Sequence, residues 1–170
     1  MLGPMTTWLG ALLRGDDVGT DVSLAVGILG ADELASLRAW FAAQPEEILT
    51  RERVGAIHAC IWMVRADRET HPGEIQALQD LIAQSELPWG EQTKLLAALH
   101  APLTPETIAA DLQQPALREL MLAIAWELSF ADGRIDDDER DAYDELAAAF
   151  EVTLERSEEI RVAVSPDRPD

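Results

Sequence analysis

Cysteine is nearly missing from this chain of 170 residues: Cys60 stands alone, so no intramolecular disulfide and no multi-thiolate zinc site can form. Histidine is almost as scarce, with three, which leaves zinc or copper few imidazole donors. Basic side chains number 13 against 32 acidic ones, and the net charge of −19 repels polyphosphate and anionic lipid. Nucleic acid is therefore excluded as the expected partner; cations and basic proteins are favoured. Aromatics make up only 5% of the chain, too few to line a sugar cleft with stacking platforms. No long hydrophobic run exists either, since Val22 to Gly30 falls far short of the roughly 20 residues that span a bilayer. The apolar opening Met1 to Leu13 lacks a basic leader and a small-x-small cleavage site, and runs into Arg14-Gly15-Asp16-Asp17. It reads as a docking segment or a frayed start. The expectation is a cytoplasmic protein with no direct membrane insertion.

What is abundant is helix-forming: 26 alanines and 23 leucines stand against 18 valines and isoleucines together. Ala and Leu lose little side-chain freedom in a helix, so the fold class predicted is all-α. Asp32 is placed as an N-cap for a helix running to Phe41, with Pro45 ending the segment. From about Thr50, Val54, Ile57, Ile61 and Val64 recur at helical spacing; Pro72 opens the next helix, with Ile75, Leu78, Leu81 and Ile82. Pro88 and Thr104-Pro105 begin two shorter helices. The longest periodic segment, Pro115 to Ala131, carries Leu117, Leu120, Met121, Ile124 and Leu128 and is expected at the centre of the core. Asp136 starts another helix, Thr153 caps a last one, and Ser165 to Asp170 is expected to be a disordered tail. The division expected is a helical extension over 1–45, a helical domain over 46–164 and the tail over 165–170.

The chain repeats itself. Slid by 65 residues, Ala66-Asp67 with Glu74 falls on Ala131-Asp132 with Glu139, Ile57 falls on Leu122, Met63 on Leu128 and Leu81 on Leu146. Two helix-loop-helix hairpins follow, roughly 50–85 and 115–150, and a single-domain bundle of two pseudo-symmetric hairpins suits one repeat pair better than a solenoid does.

The loops carry the chemistry. In the second copy Gly133 suits the end of a helix, and Asp136 with Glu139 has the spacing of a capping box, which by itself accounts for both acids. Asp132 and Asp67 are harder to explain that way. Each sits at a helix C-terminus, where the dipole is already negative and a further carboxylate costs a few tenths to about 1 kcal/mol unless a positive charge answers it. Asp67, Glu74, Asp132 and Glu139 together make a hard-oxygen donor set suited to Ca²⁺ or Mg²⁺, with Asp136 as cap or outer ligand. The loop is too short for an EF-hand. His71 stands in the first loop where Asp136 stands in the second, and is read as a surface or cap residue.

The repeated Ala-Asp motif, above all Ala131-Asp132-Gly133-Arg134-Ile135-Asp136-Asp137-Asp138-Glu139, resembles the TerB-like family over about residues 50–164. The resemblance implies a small all-helical protein of two pseudo-symmetric hairpins, an acidic surface and a divalent-cation site, here carried by Asp67, Glu74, Asp132 and Glu139. It also implies a role in metal, tellurite or envelope stress, with a protein partner that is basic or membrane-associated. The first copy departs from the pattern: Arg68 replaces the glycine and Thr70 the isoleucine, which puts its half of the site in question. The competing reading is an acidic adaptor that docks a basic protein without metal, its loop acids serving only as caps.

Other candidates are weaker. Asp132 to Glu145 holds eight carboxylates and two arginines, in the ordinary case a solvated helix face. Trp62 and Trp126 are assigned to packing, and Cys60 to the core. His58 and Cys60 lie on different faces of one helix, so they cannot act as base and nucleophile. No hydrolase, phosphate-loop or di-iron motif is present, and no enzyme is expected.

Overall fold

The computed structural model describes residues 27–66, 72–85, 87–129 and 137–164, apart from the side chains of 128 and 129, and all regular structure among them is helical. The helices are α1 (Ala31–Ala43), α2 (Glu46–Ala66), α3 (Pro72–Gln84), α4 (Trp89–Ala98), α5 (Pro105–Asp111), α6 (Pro115–Ser129), α7 (Asp137–Ala149) and α8 (Leu154–Val164). Proline marks their starts: Pro72, Pro105 and Pro115 occupy first helical positions, where a missing N–H costs nothing. Thr104 and Thr153 act as side-chain caps, accepting from the amides of Thr107 and Arg156 at 3.3 and 3.1 Å.

Two starts differ from the expectation. Gly30, at φ 84°, precedes α1 and accepts from the Leu34 amide, so Asp32 lies inside the first turn instead of capping it. A residue without Cβ takes that backbone turn freely, and this sets the boundary ahead of the acidic side chain. Similarly, α2 begins at Glu46 instead of about Thr50, because the Pro45 carbonyl takes the amides of Ile48 and Leu49. Its first turn is acidic, which suits the helix dipole but leaves no apolar rhythm to read.

Helices α2 and α6 form the centre. α2 touches α3, α4, α5, α6 and α7, and α6 touches α1, α2, α7 and α8. Ile57, Ile61 and Val64 of α2 meet the buried stripe Leu117, Leu120, Met121 and Ile124 of α6 in a single core. Ala123 and Ala125 are buried as well, so α6 is covered almost all round. Leu34, Leu37 and Phe41 of α1 join the same core.

The 65-residue offset extends further than two helices. α3 over 72–84 coincides at both ends with α7 over 137–149, and α4 and α8 begin at the matched residues Trp89 and Leu154. Within each copy all three helices touch one another: α2, α3 and α4 in the first, α6, α7 and α8 in the second. Buried Leu78 pairs with Tyr143, Leu81 with Leu146, and Leu95 with Ile160. The matched helices at this offset thus number three in each half, and polar α8 hid the third match in the sequence.

The connection from α5 to α6 is clamped by polar groups of both central helices. Glu52, fully buried on α2, accepts from the Gln113 amide with both carboxylate oxygens at 3.1 Å and from the Gln114 amide at 3.2 Å. Arg118 on α6 donates to the carbonyls of Ala109 (2.8 Å), Leu112 (2.5 Å) and Phe150 (3.1 Å) while lying over the Phe150 ring. An anion thus meets the amides that lead into α6, and a cation meets the carbonyls that end α5 and α7.

Candidate functional site

Asp67 and Asp132, the two acids that motivated a cation site, lie outside the described residues, as do Arg68, Thr70, His71 and Asp136 with its capping box. Glu74 sits in the first turn of α3, half-buried, and Glu139 in the first turn of α7, 6% exposed. They hold matched positions in the two copies. Among the described residues no three His, Cys, Asp or Glu side chains form a group that would hold an ion.

The end of α2 and the first half of α7 line one groove of about 360 Å³. One wall is the end of α2, with Trp62, Arg65 and Ala66; the other is α7, with Asp138, Asp141, Ala142 and Glu145, and Leu103 closes one side. Trp62 Nε1 donates to the Ala142 carbonyl at 3.0 Å and ties the walls together. Ala66 immediately precedes Asp67, and Asp138 follows Asp136 by two residues, so a described neighbour of each acidic segment lines the groove. The three groove acids were legible as part of an acidic run; the opposing wall from α2 was not, because nothing local links Trp62 to Ala142 across 80 residues.

Among the described residues Arg65 forms no ion pair with those acids. Its guanidinium donates to the carbonyls of Ala98 and Ala101. Arg161 likewise points elsewhere, over the rings of Trp126 and Tyr143 and toward Asp144 and Glu158. Trp126 itself is buried, edge-on to Tyr143 at 5.0 Å, and Tyr143 Oη donates to the Ser157 carbonyl at 2.9 Å. Trp126 therefore packs, as expected, while Trp62 packs on one side and lines the groove on the other.

Burial shifts titratable groups elsewhere among the described residues. Burial pushes the Cys60 thiol up to about 12, which leaves it inert at neutral pH. Burial lowers His58, with Asp111 and Glu91 opposing, and its Nδ1 is enclosed without a hydrogen-bond partner. Glu127 on α6 is raised by burial, and its Oε2 is enclosed with no donor. The folded chain thus holds this proton to higher pH than the unfolded chain. Its contribution is complete below the ordinary value of 4.5 and is lost as pH rises through the raised folded value. Glu127→Gln is expected to melt about a degree or two above the parent at pH 8, with the gap closed at pH 4. Thermal unfolding at both pH values checks this; an equal gap at both would assign the effect to something other than the charge.

A family model described as tellurite resistance protein TerB matches residues 53–162, well over half of the chain. No curated protein and no solved structure matches it.

Proposed function

The chain belongs to the TerB family, and on that footing we propose that it works by binding and not by catalysis, as a divalent-cation and protein-interaction module in metal, tellurite or envelope stress. Asp67, Glu74, Asp132 and Glu139 are the proposed ligands, and Ca²⁺ or Mg²⁺ the proposed ion, since carboxylates alone favour hard cations. The observation that supports this reading is that Ala66, next to Asp67, and Asp138, two residues after Asp136, line one groove. Matched first-turn positions for Glu74 and Glu139 add support. A bound cation would supply positive charge where two helix C-termini and four carboxylates accumulate negative charge.

Calorimetric titration of the full chain with calcium and then magnesium chloride tests it. Binding by at least one ion is expected, weakened about tenfold or more by Asp132→Asn, which keeps the side-chain shape. Glu139→Gln should do the same, and circular dichroism identifies any loss of fold at this buried position. Saturating ion at about 100 times its dissociation constant should stabilise the parent by about 2.7 kcal/mol, raising its melting temperature. Absence of both heat and thermal shift with either ion would remove the cation from the proposal.

A further inference from the structure

We infer that the groove between α2 and α7 is a docking site for a lysine- or arginine-bearing helix of a partner protein. The inference rests on the interaction half of the proposed function, and it specifies the partner's chemistry. Asp138, Asp141 and Glu145 stand at i, i+3 and i+7 on one side of α7, which places them at steps of about 4.5 and 6 Å along the axis. Basic residues three and four apart on a facing helix have the same spacing. Asp141 and Glu145 are exposed, and neither has a cation partner among the described residues. Arg65, the nearest cation in the wall, is engaged by two carbonyls.

The opposite wall selects the kind of cation. Trp62 has its N–H committed to Ala142, so what the indole offers the groove, beside Leu103, is carbon surface. A hydrated inorganic ion gains nothing from such a wall. A Lys or Arg side chain lays its aliphatic stem on it and brings its charged end to the carboxylates. Charge also argues against an occupant from this chain. Residues 1–26 carry Arg14 against Asp16, Asp17 and Asp21, residues 165–170 carry Arg168 against Asp167 and Asp170, and a second copy brings a net charge of −19.

The test uses the full chain in EDTA and fluorescence anisotropy of a labelled alanine-based helix with three lysines at i, i+3 and i+7 and leucines between them. Binding is expected, lost when glutamates replace the lysines. The double variant Asp141→Lys with Glu145→Lys should weaken it about tenfold, and Trp62→Leu should weaken it as well. Glu33→Lys with Glu155→Lys makes the same charge change on exposed residues of α1 and α8 and should alter affinity less than twofold. Equal losses in the two double variants would overturn the inference in favour of general attraction to an acidic molecule. So would tighter binding of spermidine than of the peptide at this site, or a tenfold gain in peptide affinity on deleting residues 1–26. Calcium titration of the groove variant separates the two readings: retained ion binding with lost peptide binding leaves the cation site standing, and the reverse pattern leaves the groove standing.

Discussion

Glu52→Ala is expected to lower the free energy of unfolding by about 2–4 kcal/mol, seen as a lower urea midpoint with an unchanged slope. The carboxylate is fully buried and accepts from the Gln113 and Gln114 amides, just before α6 begins, with Arg51 at 3.5 Å from one oxygen. Truncation removes acceptors from two backbone donors and leaves a void between α2 and the connection. Glu52→Gln separates charge from volume, because it fills the same space but turns an N–H toward amides that also donate. It should still cost more than about 1 kcal/mol. A Gln variant as stable as the parent would show that the connection is held by packing alone.

Gly55→Ala is expected to destabilise by about 1–3 kcal/mol, against a helix-propensity gain of about 1 kcal/mol for the same change at an open position. A Cβ here would lie 2.7 Å from the Leu112 nitrogen, 2.8 Å from its Cβ and 3.1 Å from the Asp111 carbonyl carbon. Backbone atoms cannot swing aside as a flexible side chain can, so α2 and the end of α5 must separate. Gly90→Ala in α4 is the control, because a Cβ there meets nothing within 4 Å, and that variant should gain stability. Denaturant melts of both variants decide the matter; stabilisation by both would mean that the close approach yields readily.

The apolar skeleton was legible because its signals are local. The stripe Leu117, Leu120, Met121 and Ile124 repeats at helical period and is buried as that period requires. Pro72, Pro105 and Pro115 open helices for a reason that belongs to proline itself. The start of α2 was missed because Glu46 and Glu47 favour a helix N-terminus without advertising an apolar face. The helices opened by Pro88 and capped by Thr153 were both legible, but their match at the 65-residue offset was not, because α4 and α8 share little beyond the buried pair Leu95 and Ile160.

The candidate site was legible in composition and not in arrangement. Glu74 and Glu139 could be named from the offset alone, and both open their helices at equivalent points. What gives the groove its character is a hydrogen bond from Trp62 to Ala142 and a cation, Arg65, drawn off to Ala98 and Ala101. Neither contact has a sequence signature, since each joins segments with no shared periodicity. Glu52 was passed over for the same reason: a charged residue amid a helical run reads as surface, and only the arrival of Gln113 and Gln114 makes it an interior acceptor.

The two copies keep a common apolar phase but have parted in charge. α3 carries Glu74 and Asp80, whereas its counterpart α7 carries Asp137, Asp138, Glu139, Asp141, Asp144 and Glu145 against Arg140 alone. The α7 side is therefore the more acidic of the two, and for a basic partner of the kind proposed its field would turn that side forward before the two surfaces touch. Orientation during the diffusional approach is then supplied by long-range forces, and the rate of encounter falls as ionic strength rises.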